Sequence, residues 1–230
     1  MKKNSTQYFI LIVTILFLSC SESRSKKKFS EGTIEYTIQL EGADKMKINP
    51  YSIPNKFTIK FKDNNLSNKI EGMSGSVNLT FIKNVDDQAF IFLVNIWNKK
   101  LYYQDSLIKK YLPQTYPGME SLSIEKTNEV VEYNGYKCKK AIAHFQDSTN
   151  LSFEILYTNE IYITNPNINT PFETIDGVML KFSVKLNKYL MNLSASSISQ
   201  EDISMDEFKL PNGYEKVSKR TIEDLVSLMQ

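Results

Sequence analysis

The sequence predicts a mainly β protein (α+β, with few helices) built on one strongly curved antiparallel sheet. Three observations carry that expectation. From Gly32 onward, apolar and polar residues alternate in run after run, the period of strands that bury one face and wet the other. Two-residue turn chemistry separates such runs, as at Asn134-Gly135 and Asp176-Gly177. Helical spacing is clear only at the C-terminal end.

The elements follow in order. Ile34, Tyr36, Ile38 and Leu40 share one face, against Thr33, Glu35, Thr37 and Gln39 on the other. Phe57, Ile59 and Phe61 alternate with Thr58, Lys60 and Lys62, and Val77, Leu79 and Phe81 continue the pattern. Ala89 to Trp97 is apolar on both parities, so this strand should be covered on both sides, by a helix or a loop. Tyr103 to Leu112 reads either as a short helix or as a turn at Asp105-Ser106 followed by a strand. Pro113 to Gly118 breaks whatever precedes it. Asn134-Gly135 turns a hairpin. Leu151, Phe153, Ile155 and Tyr157 form a strand that Ile161 and Ile163 extend. Val178 to Leu186 and Leu190 to Ser199 are two more strands. Ile222, Leu225, Val226 and Met229 lie on one helical face, with Ser218 or Thr221 as the cap.

So many strands cannot stay flat in one twisted sheet. The sheet curls, and its concave side is filled by core side chains, a covering helix or a ligand. A single domain over residues 31–230 is expected, and no repeat period is visible.

The first residues have another character. Met1-Lys2-Lys3 precedes the apolar run Tyr8 to Leu18, which ends in Leu18-Ser19-Cys20. A basic start, a short apolar core and a small residue before the cut make a secretory leader over residues 1–19. The run is shorter than the ~20 apolar residues of a bilayer span. Leu-Ser-Cys is similar to a bacterial lipobox, which makes Cys20 the lipid-bearing first residue of the mature chain. An ordinary secretory peptide with an incidental cysteine and an uncleaved anchor are the alternatives. Two or more acyl chains hold firmly, whereas one alone binds reversibly. Residues 20–30 read as a flexible Ser/Lys-rich tether. Its run Arg24 to Lys28 is either plain solvated chain or a stretch drawn to anionic headgroups. Ser21-Glu22-Ser23 carries no inner-membrane retention signal of the Asp type, which points to the outer membrane, on its periplasmic or surface side.

Composition excludes several functions. Loss of the leader takes Lys2 and Lys3 away and levels the 28 basic against the 26 acidic side chains. No surplus of positive charge is left to imply a nucleic-acid partner. With Cys20 lipidated, Cys138 has no disulfide partner, and its place in an alternating run reads as a buried, inert thiol. His144 is the single histidine and falls within a strand, so neither a catalytic triad nor a zinc site is readily built. The pairs Asp86-Asp87, Glu201-Asp202 and Asp206-Glu207 read as solvated turn residues rather than an acid/base pair or a calcium loop. No cofactor or metal is expected. Aromatic residues are abundant, with 13 Tyr, 13 Phe and 1 Trp. Phe81, Phe90, Phe92, Trp97, Phe153 and Phe182 come from several strands. They read either as a filled core or as the lining of a concave apolar cavity able to take acyl chains.

Tyr133-Asn-Gly-Tyr-Lys-Cys-Lys-Lys-Ala141 resembles the "GYKCKKA" strand of the GLPGLI group of Bacteroidota lipoproteins and secreted proteins. The resemblance continues through Thr170 to Leu180 and ends at Leu210-Pro-Asn-Gly-Tyr214, similar to their closing "lPaGY". It implies the lipoprotein-carrier fold of LolA and LolB, a half-open barrel with helices over an apolar cavity. It brings no catalytic residues. The leading expectation is therefore a monomeric, non-enzymatic, lipid-anchored envelope protein that binds a lipid or acyl chain at those aromatic residues. The rivals are a filled-core interaction protein that docks partners, and a hydrolase using carboxylates.

Overall fold

The computed structural model describes residues 28–41, 54–72, 75–97, 99–107, 116, 118–147, 151–186 and 189–228. The leader, Cys20, most of the tether and the stretch 108–115 lie outside the described residues.

The strands are β1 (Glu31–Leu40), β2 (Lys56–Lys62), β3 (Asn65–Gly72), β4 (Val77–Asn84), β5 (Ala89–Ile96), β6 (Lys99–Ser106), β7 (Leu122–Tyr133), β8 (Tyr136–Phe145), β9 (Ser152–Thr158), β10 (Val178–Leu186), β11 (Tyr189–Ser199) and β12 (Glu215–Lys216). Among the described residues, a short 3-10 helix covers Met205–Phe208 and an α-helix, α1, covers Lys219–Leu228. These twelve strands of the described residues belong to one open sheet in the order β12-β6-β5-β4-β3-β2-β1-β11-β10-β9-β8-β7. Two meanders, β1–β6 and β7–β11, are thus zipped together by the antiparallel β1–β11 ladder. Only the two-residue β12 runs parallel to its neighbour, β6.

The sheet is strongly curved. β8 lies three places from β11 in the strand order, which at ~4.8 Å per strand would be about 14 Å in a flat sheet. Yet Asn134, at the tip of the β7–β8 hairpin, donates from Nδ2 to the carbonyl of Ala195 on β11. The tip is a tight turn of the expected kind, with φ of 51° at Asn134 and 72° at Gly135. Gly177, after Asp176, is needed for a close approach. A Cβ there would stand 2.7 Å from the Thr158 carbonyl oxygen.

Pairing defines two faces. Tyr36, Phe57, Ile70, Leu79, Val94 and Leu101 follow one another across β1 to β6 on the inner face. The largest apolar cluster joins that face of β1–β3 to β8–β11, and it includes Phe29, Ile161, Phe172 and Ile175 from the chain flanking the strands. On β4–β6 the inner face packs Phe92 and Val94 against Ile222 of α1. The outer face of the same strands packs Ile82, Ala89, Ile91 and Leu93 against Ile203 and Phe208. The apolar character of Ala89–Ile96 on both parities is thereby explained: a helix covers one side and a loop the other. The C-terminal helix starts as its sequence predicts, with Ser218 Oγ accepting from the Thr221 backbone N–H at 3.1 Å.

Three local readings change. β3 is a strand although Asn65, Ser67, Asn68 and Lys69 gave it no clean alternation. The ambiguous stretch from Tyr103 completes strand β6 through Ser106, with the turn at Leu107, and its remainder lies outside the described residues. Ile161 and Ile163 do not extend β9. Ile161 makes a single parallel bridge to Phe29, because Asn159 and Glu160 bend the chain away.

Candidate functional site: the aromatic inner face

The residues singled out in the sequence fall into two groups and one outlier. Phe81 and Phe92 are directly opposite on β4 and β5, with ring centroids 4.2 Å apart. Phe90 is one place along β5 on the same face, its centroid 6.2 Å from Phe81. Tyr116, from the connection between β6 and β7, stacks on Phe81 at 6.5 Å. Phe81 and Phe90 are half-buried, whereas Phe92 is fully buried beneath Ile222.

Phe153 and Phe182 sit in the other half. Phe182 packs edge-on against Tyr36 at 5.9 Å and Phe172 at 5.5 Å, and Phe172 meets Phe153 at 6.4 Å. Tyr36 donates its hydroxyl to the Met179 carbonyl at 2.7 Å, and its complete burial drives the phenol pKa far up. This ring chain is a packed core. Its central plug, Phe172, lies in the loop after β9, where no periodicity in the sequence marks it.

Trp97 belongs to neither group. β5 ends at Ile96, so Trp97 is the first residue of the β5–β6 turn, 72% exposed and with φ of 49°. The inner-face site therefore loses its largest expected aromatic.

Polar groups on this face are few. Asn68 stands between Ile59 and Phe81 in the pairing, and its buried Oδ1 has no hydrogen-bond partner. Lys83 donates to the Thr164 carbonyl at 2.8 Å, and burial lowers its pKa. Tyr103 donates to Asp105 Oδ2 at 2.5 Å, and burial together with that carboxylate pushes its pKa up to about 12. These groups are satisfied locally or stand singly; none forms a nucleophile–base pair. Among the described residues, no cluster of His, Cys, Asp and Glu could hold a metal ion.

The remaining candidates are structural in their surroundings. His144 is exposed on β8. Cys138 is fully buried, and burial raises its thiol pKa to about 11. Asp87 is tied to Asn84 in the β4–β5 turn, Asp202 pairs with Lys62 at 2.8 Å, and Glu207 pairs with Lys60 at 2.8 Å. A groove of about 590 Å³ does open in the sheet, but Glu35, Thr37, Lys56, Glu71 and Ser196 line it, and none of the singled-out aromatics does.

No family model matches this chain, and no curated protein matches it. Among solved structures, a structure of PNGF-II in the C2 space group is similar at 18% identity and a TM-score of 0.54. The match covers 87% of this chain and 33% of that one, so this chain spans about a third of the length of the structure it matches. At that identity the likeness speaks for the fold alone. Among the described residues, no helix is long and apolar enough to cross a membrane.

Proposed function

We propose that the chain is a lipid-anchored envelope protein without enzymatic activity, which acts by contact with partners rather than by holding a ligand in an open cavity. One observation carries the reading: the concave side is occupied by the chain's own side chains. Phe92 and Ile222 are at 0% exposure, Phe172 at 2% and Phe182 at 6%. A groove among the described residues is open and lined mainly by polar and charged side chains, with Tyr36 the one aromatic residue in it, unlike an enclosed acyl-chain site. The anchor rests on Leu18-Ser19-Cys20 and its basic, apolar leader. Metabolic labelling with a radioactive fatty acid tests the anchor: label is expected on the chain and is lost in Cys20→Ser. Mass spectrometry under native and then denaturing conditions tests the filled core. A bare protein mass is expected, and an excess that extracts as lipid overturns it.

A second reading keeps the hydrophobic ligand, and with it the LolA-like half-barrel and the resemblance to GLPGLI-group lipoproteins. It is favoured by the half-buried pair Phe81 and Phe90 beside the unpartnered Asn68 Oδ1. An apolar wall with one polar anchor is the usual make-up of a ligand pocket. In that reading α1 is a movable cover, and the lipid replaces Ile222 over Phe92.

A further inference from the structure

Trp97 is misplaced twice over if folding alone is considered. It is one of three large apolar side chains exposed among the described residues, with Val130 and Tyr162, and at 72% it is the most exposed. It also holds φ of 49°, the left-handed region that disfavours a bulky side chain. Two other hairpin turns place tolerant residues at positive φ, Asp63-Asn64 between β2 and β3 and Asn134-Gly135 between β7 and β8; the β4–β5 turn uses Gln88, and only Trp97 puts a bulky aromatic ring there. A residue that strains its backbone and gains no burial inside its own fold points to a contact outside it.

The surroundings name the chemistry of that contact. Lys99 and Lys100 come next on β6, and both are exposed. The facing strand end supplies Ser76, whose carbonyl accepts from the Trp97 backbone N–H at 2.8 Å, then Val77 and Asn78. Residues 75–78 and 95–101 contain no acidic side chain; the nearest acids across the pairing are Glu71, opposite Asn78 and bonded to Lys69, and Glu215, opposite Leu101. An exposed indole beside two exposed ammonium groups fits a surface with negative headgroups above an apolar layer. Indoles settle at that boundary, and lysines are drawn to the charge.

We infer that the β5–β6 tip, Trp97 with Lys99 and Lys100, docks on an anionic phospholipid surface. This contact is separate from any anchor at Cys20. The described chain enters the sheet at Glu31, at the start of β1, while Trp97 lies at the opposite end of the strands, the end of Leu40. Holding the chain by its N-terminus therefore does not by itself shield the tip.

Trp97 is the chain's single tryptophan, so its fluorescence reads the tip directly. The full chain is reconstituted in vesicles of phosphatidylcholine, with or without phosphatidylglycerol. On the anionic vesicles the emission shifts to the blue and is quenched by brominated acyl chains. The doubly charge-reversed variant Lys99→Glu/Lys100→Glu, at exposed positions, reduces that population by about tenfold or more. Emission that stays at the solvent-exposed wavelength on both vesicle types overturns the inference. So does a shift that ignores both lipid charge and charge reversal. A benzophenone photo-crosslinker placed at position 97 in cells supplies the last arm. A phospholipid adduct supports the inference, and a protein adduct overturns it in favour of a protein partner.

Discussion

Strands β7–β11 and strands β4–β6 bury their apolar residues in different ways. The former close on β1, β2 and the loop between β9 and β10, and their rings pack on one another from Tyr36 through Phe182 and Phe172 to Phe153. The latter depend on the C-terminal part of the chain, beyond β11: residues 201–214 cover the outer face and α1 the inner one. That cover is fastened by side-chain and backbone ties, among them Lys60 to Glu207 at 2.8 Å and the short β12–β6 pairing. Lys62 bonds Asp202 at 2.8 Å, Ile203 N–H donates to Glu31 at 2.7 Å, and Asn84 donates to the Phe208 carbonyl at 3.0 Å. The difference teaches that one half is closed by strand curvature and the other by a strap, so the second can open without the first.

Truncating the rings should break this comparison most visibly. Phe182→Ala removes the side chain that Tyr36, Phe57 and Phe172 all touch, and should cost about 3–5 kcal/mol in global stability, read by denaturant melts. Ile222→Ala should cost less, about 2 kcal/mol or somewhat more, since a helix can settle onto the gap. Its effect should be local. Hydrogen exchange should quicken in β4–β6, while protection in β8–β10 stays unchanged. If both halves lose protection together, the strap is as integral as the rings, and the movable-cover reading falls with it.

The same physics decides how much of this was legible in the sequence. Alternation revealed most strands and their inner residues, because one wet face leaves a period of two. The double cover of β5 was readable from its two apolar parities. β3 was hidden because Asn65 and Ser67 are buried there as polar residues, Asn65 Oδ1 accepting from Val85 N–H at 2.7 Å. The candidate site was read less well. Phe182 falls on the apolar parity of an alternating run, and Phe92 lies in a run apolar on both parities that assigns it no face; their plugs, Phe172 and Ile222, come from a loop and a terminal helix whose placement no local pattern encodes. Trp97 was read as the end of an apolar strand. Composition could not tell a strand end from a turn when the turn carries no Asn-Gly or Asp-Gly signal.

Relieving the strained turn should sharpen the comparison with a gain. Trp97→Asn replaces a bulky residue by one that tolerates positive φ and removes exposed apolar surface. It should stabilise the chain by about 1 kcal/mol, a rise of roughly 2–4 °C in Tm for a chain of this size. A loss of stability instead would mean that the indole packs usefully on the hairpin.

The smallest effects come from charge, and they separate the two halves again. On the outer face of β8–β10, Lys140 bonds Glu154 at 2.8 Å and Lys181 bonds it at 3.3 Å. Lys140, ahead of Lys181, holds the Glu154 carboxyl below its ordinary value of 4.5. Asp202, on the strap, is held below its ordinary 3.8, first by Lys62. A carboxyl with a depressed folded pKa adds stability that is present above its unfolded pKa and is lost as pH falls through the folded one. Acid should therefore weaken both places below about pH 4.5, with the strap following its own lower ordinary value. Lys140→Gln should flatten the part of the acid limb that belongs to β8–β10. Lys62→Gln should leave that part intact and loosen the strap already at neutral pH, seen as faster exchange in β5, because it cuts the ties to Asp202 and to the Ile203 carbonyl. Added salt should mimic each variant weakly, since both pairs are partly exposed and screened. If Lys62→Gln leaves β5 protection as it was, the strap is held without Lys62, by the packing of Phe208 and Ile203 together with the Lys60–Glu207 and Asn84–Phe208 ties.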